Sequence, residues 1–464
     1  MSHSLLNAVW PALSLPTSAL DTVLLVGEGE LPSHFAVTDL AVASIGAAAL
    51  AVQQLMVAQG AAPSPVSIDR RLASMWFSRS IQPLGWELPP LWDAIAGDYP
   101  TADGWMRLHT NAPHHRKAAL AALGCAEDRA TVARAVAAWP GLVLEEAVIA
   151  QGGCAALMRS MAEWQAHPQG RAVAAEPLIA FATVASVAAS PWRWTAGRPL
   201  GGLKVLDLTR VLAGPVATRF LAGYGANVLR IDPPGWNEPG VVPEVTLGKR
   251  CARLDLTQPA DRVIFDKLLA EADVLVHGYG PAALERLGYG VAFRRQLNPA
   301  LIDVALDAYG WTGPQSGRRG FDSLVQMSCG IAQHGMTMQG ADKPVPLPVQ
   351  ALDHATGYLI AAAVVRALIA RLAEGQALTA RLSLARTATL LTDSLPAPGR
   401  SSTSLASATE EDYAPAREHT EWGPARRLLP PAAIDGAPMS WARPASSLGA
   451  TVANWRPARA ISTD

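Results

Sequence analysis

Between residues 310 and 322 the chain runs Gly310-Trp311-Thr312-Gly313-Pro314 and then Arg318-Arg319-Gly320-Phe321-Asp322. Glycine-rich turns there hold one carboxylate, Asp322, beside apolar Phe321 and Leu324. Desolvation raises the pKa of such a carboxylate and sharpens it as a nucleophile. Read in isolation, the same residue is also a plain helix N-cap. A second place for chemistry is the turn Arg210-Val211-Leu212-Ala213-Gly214-Pro215, which ends an apolar run and opens a helix. Ligands of open parallel sheets settle at strand C-termini, and helix N-terminal N–H groups favour phosphate. Arg210 adds charge to that turn. A third is the pair Lys249-Arg250, which is either solvated surface or a phosphate contact. His109, His114 and His115 cluster in LHTNAPHHR with no further ligand at metal spacing, so they read as a polar loop or pocket wall and no metal is expected. The nucleophile elbow, the Walker A run, H-E-x-x-H and a G-x-G-x-x-G after the first strand are all missing.

The elements that must position these groups are clearest in 203–310. Residues 203–209, 226–232, 273–279 and 301–306 read as short apolar strands, and 213–225, 259–272 and 281–287 as helices. Strands alternating with helices imply an α/β fold, a Rossmann-like parallel sheet covered on both faces, with a smaller α+β domain beside it. The chain divides into an N-terminal segment (1–19), a small-domain-like region (20–190), a linker (191–202), the large domain (203–393), a Ser/Pro-rich linker (394–412) and a tail (413–464) packing on the large domain.

An internal repeat crosses these boundaries. AVTDLAVASIGAAAL (36–50) resembles QALDHATGYLIAAAV (350–364), with Asp39 opposite Asp353. At the same spacing, VSIDRRLA (66–73) falls opposite ARLSLART (380–387). Agreement through helix, loop and following segment marks a duplication.

Composition narrows the function class. Lys plus Arg is 38 and Asp plus Glu is 39, so a net charge of -1 provides no field for gathering nucleic acid. The four cysteines form no C-x-x-C pair and are expected reduced. The first basic residue is Arg70, so no basic leader is visible, and no apolar run reaches the ~18–20 uninterrupted residues of a membrane span. A cytoplasmic protein without membrane contact is the expectation.

Residues 201–395 resemble the family III CoA-transferases, the group of formyl-CoA transferase, carnitine CoA-transferases and α-methylacyl-CoA racemase. The matching stretches are GGLKVLDLTRVLAGPVATRFLAGYGANVLRID, LGKRCARLDL, EADVLVHGYGPAALERLG, GWTGP, RRGFDSLVQMSCGI and the Asp353 helix. The resemblance implies that Asp322 is the catalytic carboxylate, and that Arg210, Val211, Leu212 and Ala213, with Lys249 and Arg250, bind CoA. It implies a homodimer moving CoA from an acyl-CoA to an acceptor carboxylic acid through an aspartyl anhydride and thioester, with CoA as substrate and no permanently bound cofactor. Residues 98–111 and 152–172 look like the family's small domain, here placed ahead of the large one. Leu212 stands where formyl-CoA transferase carries Gln, and Phe321 where the racemase branch carries His. That favours transfer over two alternatives, racemase-like proton transfer and a non-catalytic CoA-binding paralogue.

Overall fold

The structure is a computed structural model that describes residues 4–187, 195, 197–396 and 403–455. Residues 191–194 and 196 of the expected 191–202 linker and residues 397–402 of the expected 394–412 linker lie outside the described residues. The strands of the first part are β1 (Val23–Val26), β2 (Val66–Asp69), β3 (Ile81–Pro83), β4 (Gly97–Pro100), β5 (Trp105–Leu108), β6 (Ala155–Leu157) and β7 (Ala180–Ser186). Those of the second are β8 (Lys204–Leu208), β9 (Asn227–Asp232), β10 (Arg250–Arg253), β11 (Val274–His277), β12 (Ile302–Asp307), β13 (Gln376–Ser383), β14 (Glu418–Thr420), β15 (Gly423–Arg427) and β16 (Ala432–Ile434).

The large sheet has the order β10-β9-β8-β11-β12-β13-β7. Every neighbouring pair is parallel except β13 with β7. Its strands are apolar runs because both faces are covered. Alternation along each strand divides the residues between two cores. Val205, Val228, Val274 and Val304 face a core shared with the helices Val37–Ala58, Ala213–Gly223 and Ala351–Ile369. Leu206, Leu229 and Leu275 face a second core with Phe265, Leu268 and Leu269 of the helix Pro259–Glu271. β7 belongs to the stretch expected to form the small front region, yet it is the edge strand of the large sheet.

The duplication is visible in three dimensions. The helix Val37–Ala58, β2 and the helix Arg70–Trp76 repeat the helix Ala351–Ile369, β13 and the helix Leu384–Thr392. The N-caps coincide at that spacing: Asp69 accepts from the Leu72 N–H at 3.0 Å, and Ser383 from the Arg386 N–H at 3.2 Å. The strand before each helix pairs in the same way, Val26 with Asp69 and Asp307 with Ser383, both parallel. What differs is the connection: residues 27–36 replace residues 308–350, so the front copy omits the stretch carrying Asp322. Each copy is closed by an antiparallel strand from the other half of the chain. β7 adds to β13, and β16, from the tail, adds to β2.

The two long helices are predominantly apolar with few polar interruptions, as suits helices buried on nearly every side. They pack on each other, and both are long and apolar enough to cross a membrane, though 89% of that stretch in each lies inside the fold. A smaller α+β lobe, the antiparallel sheet β4-β5-β6 with three helices, has its own core of Tyr99, Met106, Leu108, Val132, Leu144 and Val148. Its strand β6 presses Cys154 and Ala156 onto Leu324 and Met327. The front half also clamps the 310–315 turn. Gln169 donates to the carbonyls of Tyr309 and Thr312, both at 2.8 Å, and Glu176 accepts the N–H groups of Trp311 and Thr312, also at 2.8 Å.

Candidate active site

Asp322 is the first residue of the helix Asp322–Ser328 and has no exposed surface. Its Oδ2 accepts the backbone N–H of Asp353 at 2.9 Å, and its Oδ1 accepts the side-chain amide of Gln326. Gln326 lies one helical turn beyond Asp322, so both point to one face. The amide is fixed the right way round because its Oε1 accepts the Leu347 N–H at 2.7 Å, leaving only N–H bonds to offer Asp322. The Asp353 donor is one of the N–H groups that the first turn of a helix leaves unpaired.

These donors favour the charged form, but burial outweighs them and lifts the Asp322 carboxyl to about 6. Burial, and then the charge on Asp322, push Asp353 well above the usual carboxylate range. Of the two carboxyls, Asp353 is the one whose charged form the surroundings disfavour more.

Phe321, the residue before Asp322 in the chain, lines a cavity of about 240 Å³ between the two halves of the chain. One wall is Pro90, Leu91, Trp92, Asp93, His109, Asn111 and Ala112; the other is Val211, the segment 236–241 and Phe321. His109 stacks on Phe321 with ring centres 3.7 Å apart and planes within 3°, and Trp92 meets His109 edge-on at 5.7 Å. Burial, with Arg107 adding to it, holds His109 far below its ordinary pKa and so neutral. Gly240 is needed for the loops to meet, because a Cβ there would lie 2.6 Å from the Pro90 carbonyl oxygen.

The turn after β8 forms the other end of the site. Val211 has φ +63°, one of two non-glycine residues with positive φ among the described residues. For a β-branched residue this is strained backbone, held here because its N–H donates to Glu238 at 2.9 Å. Gly214 lets the turn close tightly, since a Cβ would fall 2.3 Å from the Thr209 side chain. Leu212 and Ala213 are buried at the start of the helix Ala213–Gly223. Arg210 donates to the Tyr279 hydroxyl at 2.8 Å, pairs with Asp232 at 3.2 Å, and lies over the Trp236 and Tyr279 rings at 5.3 and 5.5 Å.

Lys249 and Arg250 do not join this group as free cations. Lys249 is buried, its ammonium 2.9 Å from Asp207 Oδ2 and 2.8 Å from the Pro215 carbonyl. It braces the turn from behind and has no open path to a phosphate. Arg250 is buried too and donates to the Val452 carbonyl and Asn454 Oδ1 of the tail. The direct phosphate contact expected of this pair gives way to two internal roles, because Lys249 turns inward just ahead of β10 and Arg250, the first residue of β10, is covered by the tail. His114 and His115 stand together, with His115 3.1 Å from Arg319, and no group of three or more metal-type ligands is assembled among the described residues.

Sequence reasoning passed over Gln326, Trp92, Trp236 and Glu238. Gln326 carried a usable signal, its four-residue spacing from Asp322. The others lie on loops whose meeting depends on the whole fold.

Residues 200–417 match the family described as CoA-transferase family III. The probable fatty acyl-CoA transferase Rv3272 of Mycobacterium tuberculosis is 35% identical over 194 residues, 39% of this chain and 49% of that protein. Human succinyl-CoA:glutarate CoA-transferase is 34% identical over 194 residues, 39% of this chain and 44% of that protein. A crystal structure of Rv3272 has 32% identity at a TM-score of 0.39, covering 43% of this chain and 59% of that one. The chain thus matches about half the length of these curated relatives. The match to CoA-transferase family III is carried by residues 200–417, a little under half of the chain.

Proposed function

We propose that the protein moves CoA from an acyl-CoA thioester to an acceptor carboxylic acid, with Asp322 as nucleophile. The observation that carries this reading is the Asp322 carboxyl itself, desolvated, ionised at neutral pH and one residue from a cavity wall. Its carboxylate attacks the thioester carbonyl, forming a mixed anhydride and expelling CoA thiolate. The thiolate attacks the aspartyl carbonyl, which gives an aspartyl–CoA thioester and frees the donor acid. The acceptor carboxylate attacks that thioester, and the thiolate expelled again takes the acceptor acyl group and restores Asp322. Each step exchanges one activated acyl bond for another, so no step requires attack on an unactivated acid.

The large sheet is read as a Rossmann-like CoA platform. Its strand order reverses between β8 and β11, and ligands of such sheets lie in the crevice at that point, beyond the strand C-termini. Arg210 follows β8 and Tyr279 follows β11, and their 2.8 Å hydrogen bond spans this crevice. Arg210, beside Tyr279 in that crevice, would hold the phosphate end of CoA. Lys249, through Asp207, keeps the turn in place. The front lobe covers the nucleophile and excludes water, which would otherwise hydrolyse the anhydride. The experiment that tests the reading is replacement of Asp322 by Asn. Transfer should fall by several orders of magnitude while the fold and CoA binding persist, and substantial residual transfer would exclude the mechanism.

A further inference from the structure

We infer that the cavity between the 90–93 loop, the 236–241 loop and Phe321 receives the acyl group of the donor, and that it selects a compact, uncharged, apolar acyl group against one ending in a second carboxylate. The inference rests on the CoA-transferase reading and adds the substrate class to it.

The position follows from Phe321, which lines the cavity and immediately precedes the nucleophile. A thioester whose carbonyl reaches Asp322 brings its acyl substituent within one residue of that wall. The walls are largely apolar and aromatic, with Leu91, Trp92, Trp236, Val241 and Phe321 around neutral His109. At about 240 Å³ the space is below the ~300–1,000 Å³ of pockets that enclose drug-sized ligands, which favours a short, branched or single-ring acyl group.

The charges on the lining set the selectivity. No Lys or Arg lines the cavity, whereas Asp93 and Glu238 do. Both acids are already engaged. Asp93 accepts from Arg116, from the Thr110 hydroxyl at 2.7 Å and from the Ile95 N–H at 3.0 Å. Glu238 accepts from Arg230, from the Trp236 indole at 2.8 Å and from the Val211 N–H at 2.9 Å. Asn111 is engaged as well, donating to the Leu91 carbonyl at 2.7 Å and accepting the Asp93 N–H at 3.0 Å. A second carboxylate entering here would lose its water, find no cation among the lining residues and face two like charges. Burying an unpaired charge is strongly unfavourable, while an apolar group gains from the same surroundings.

The test compares isobutyryl-CoA with succinyl-CoA as donors to the full-length protein. CoA release is followed in the presence of hydroxylamine, so no particular acceptor acid is needed. Isobutyryl-CoA should lead in kcat/KM by about 100-fold or more, the scale on which a shaped pocket rejects a poorly fitting group. Leu91 is 40% exposed at the rim, so Leu91→Arg can be made without disturbing the core. That variant should improve succinyl-CoA, chiefly through KM, and weaken isobutyryl-CoA. Succinyl-CoA equal to or better than isobutyryl-CoA with the unaltered protein would overturn the inference. So would Leu91→Arg changing both donors alike, because the cavity would then hold the pantetheine arm common to both. If neither donor releases CoA, the CoA-transferase reading falls, and this inference with it.

Discussion

Replacing Asp322 by Asn should do more than stop catalysis; it should alter how stability depends on pH. Burial raises this carboxyl from about 3.8 to about 6. The folded state therefore holds a proton that the unfolded chain releases two pH units lower. Stability falls as pH rises across that window, from 3.8 to about 6, and the loss is complete above it. At about 1.4 kcal/mol per unit, the ionised Asp322 costs about 3 kcal/mol at neutral pH. An asparagine does not ionise and avoids this cost. It also brings an amide N–H₂ against the Asp353 and Gln326 donors, which costs about 1–3 kcal/mol, but that penalty does not depend on pH. Comparing the two proteins at two pH values therefore isolates the ionisation. The Asn variant should gain about 2 kcal/mol on the unaltered protein between pH 4 and pH 8, measured by urea unfolding. Asp353, relieved of its charged neighbour, acts in the same direction. Stability curves that run parallel across this range would show that Asp322 does not titrate as a desolvated carboxyl, and the reasoning would fail. The same ionisation sets the acid limb of the kcat/KM profile, with activity lost as pH drops through about 6.

Three further outcomes follow from the same geometry. Gln326→Leu removes a donor to the carboxylate, so the acid limb should move to higher pH, and an unmoved limb would show that the bond does not stabilise the charge. Lys249→Ala strands Asp207 in the interior and should cost about 3–5 kcal/mol in urea unfolding, whereas a raised KM at unchanged stability would mark a direct phosphate contact. Residues 195–464 alone would lack β7 and the Gln169 and Glu176 clamps, so they should be poorly soluble or hydrolyse acyl-CoA, and separately made 1–194 should restore transfer; transfer at the full-length rate without the front half would contradict its covering role.

Most strands of the large sheet could be read from local sequence. Four strands of the 203–310 region, β8, β9, β11 and β12, fall within a residue or two of the apolar runs, because parallel strands buried on both faces leave little ambiguity, whereas β10, with its flanking arginines, does not read as a strand. The repeat was legible because two Ala-rich helices and two N-caps recur at one spacing, and the fold places both copies in one core. Other features depend on long-range partners. The tail has no strong periodicity, yet it forms β14, β15 and β16, whose pairing with β3 and β2 no local pattern encodes. Lys249 and Arg250 look like surface charges in one dimension. Only the fold shows Asp207 waiting for the first and Asn454 for the second. The cavity is the same case, since Trp92 and Trp236 are far apart in sequence and meet only when the front lobe closes over the sheet.

The central claim is that Asp322 becomes acylated. The full-length protein, mixed with an acyl-CoA and quenched with hydroxylamine, should carry a hydroxamate at residue 322, found by peptide mass spectrometry, and the Asp322→Asn variant should carry none. CoA transfer proceeding at full rate with residue 322 unmodified, or with the hydroxamate on another carboxylate, would contradict the account.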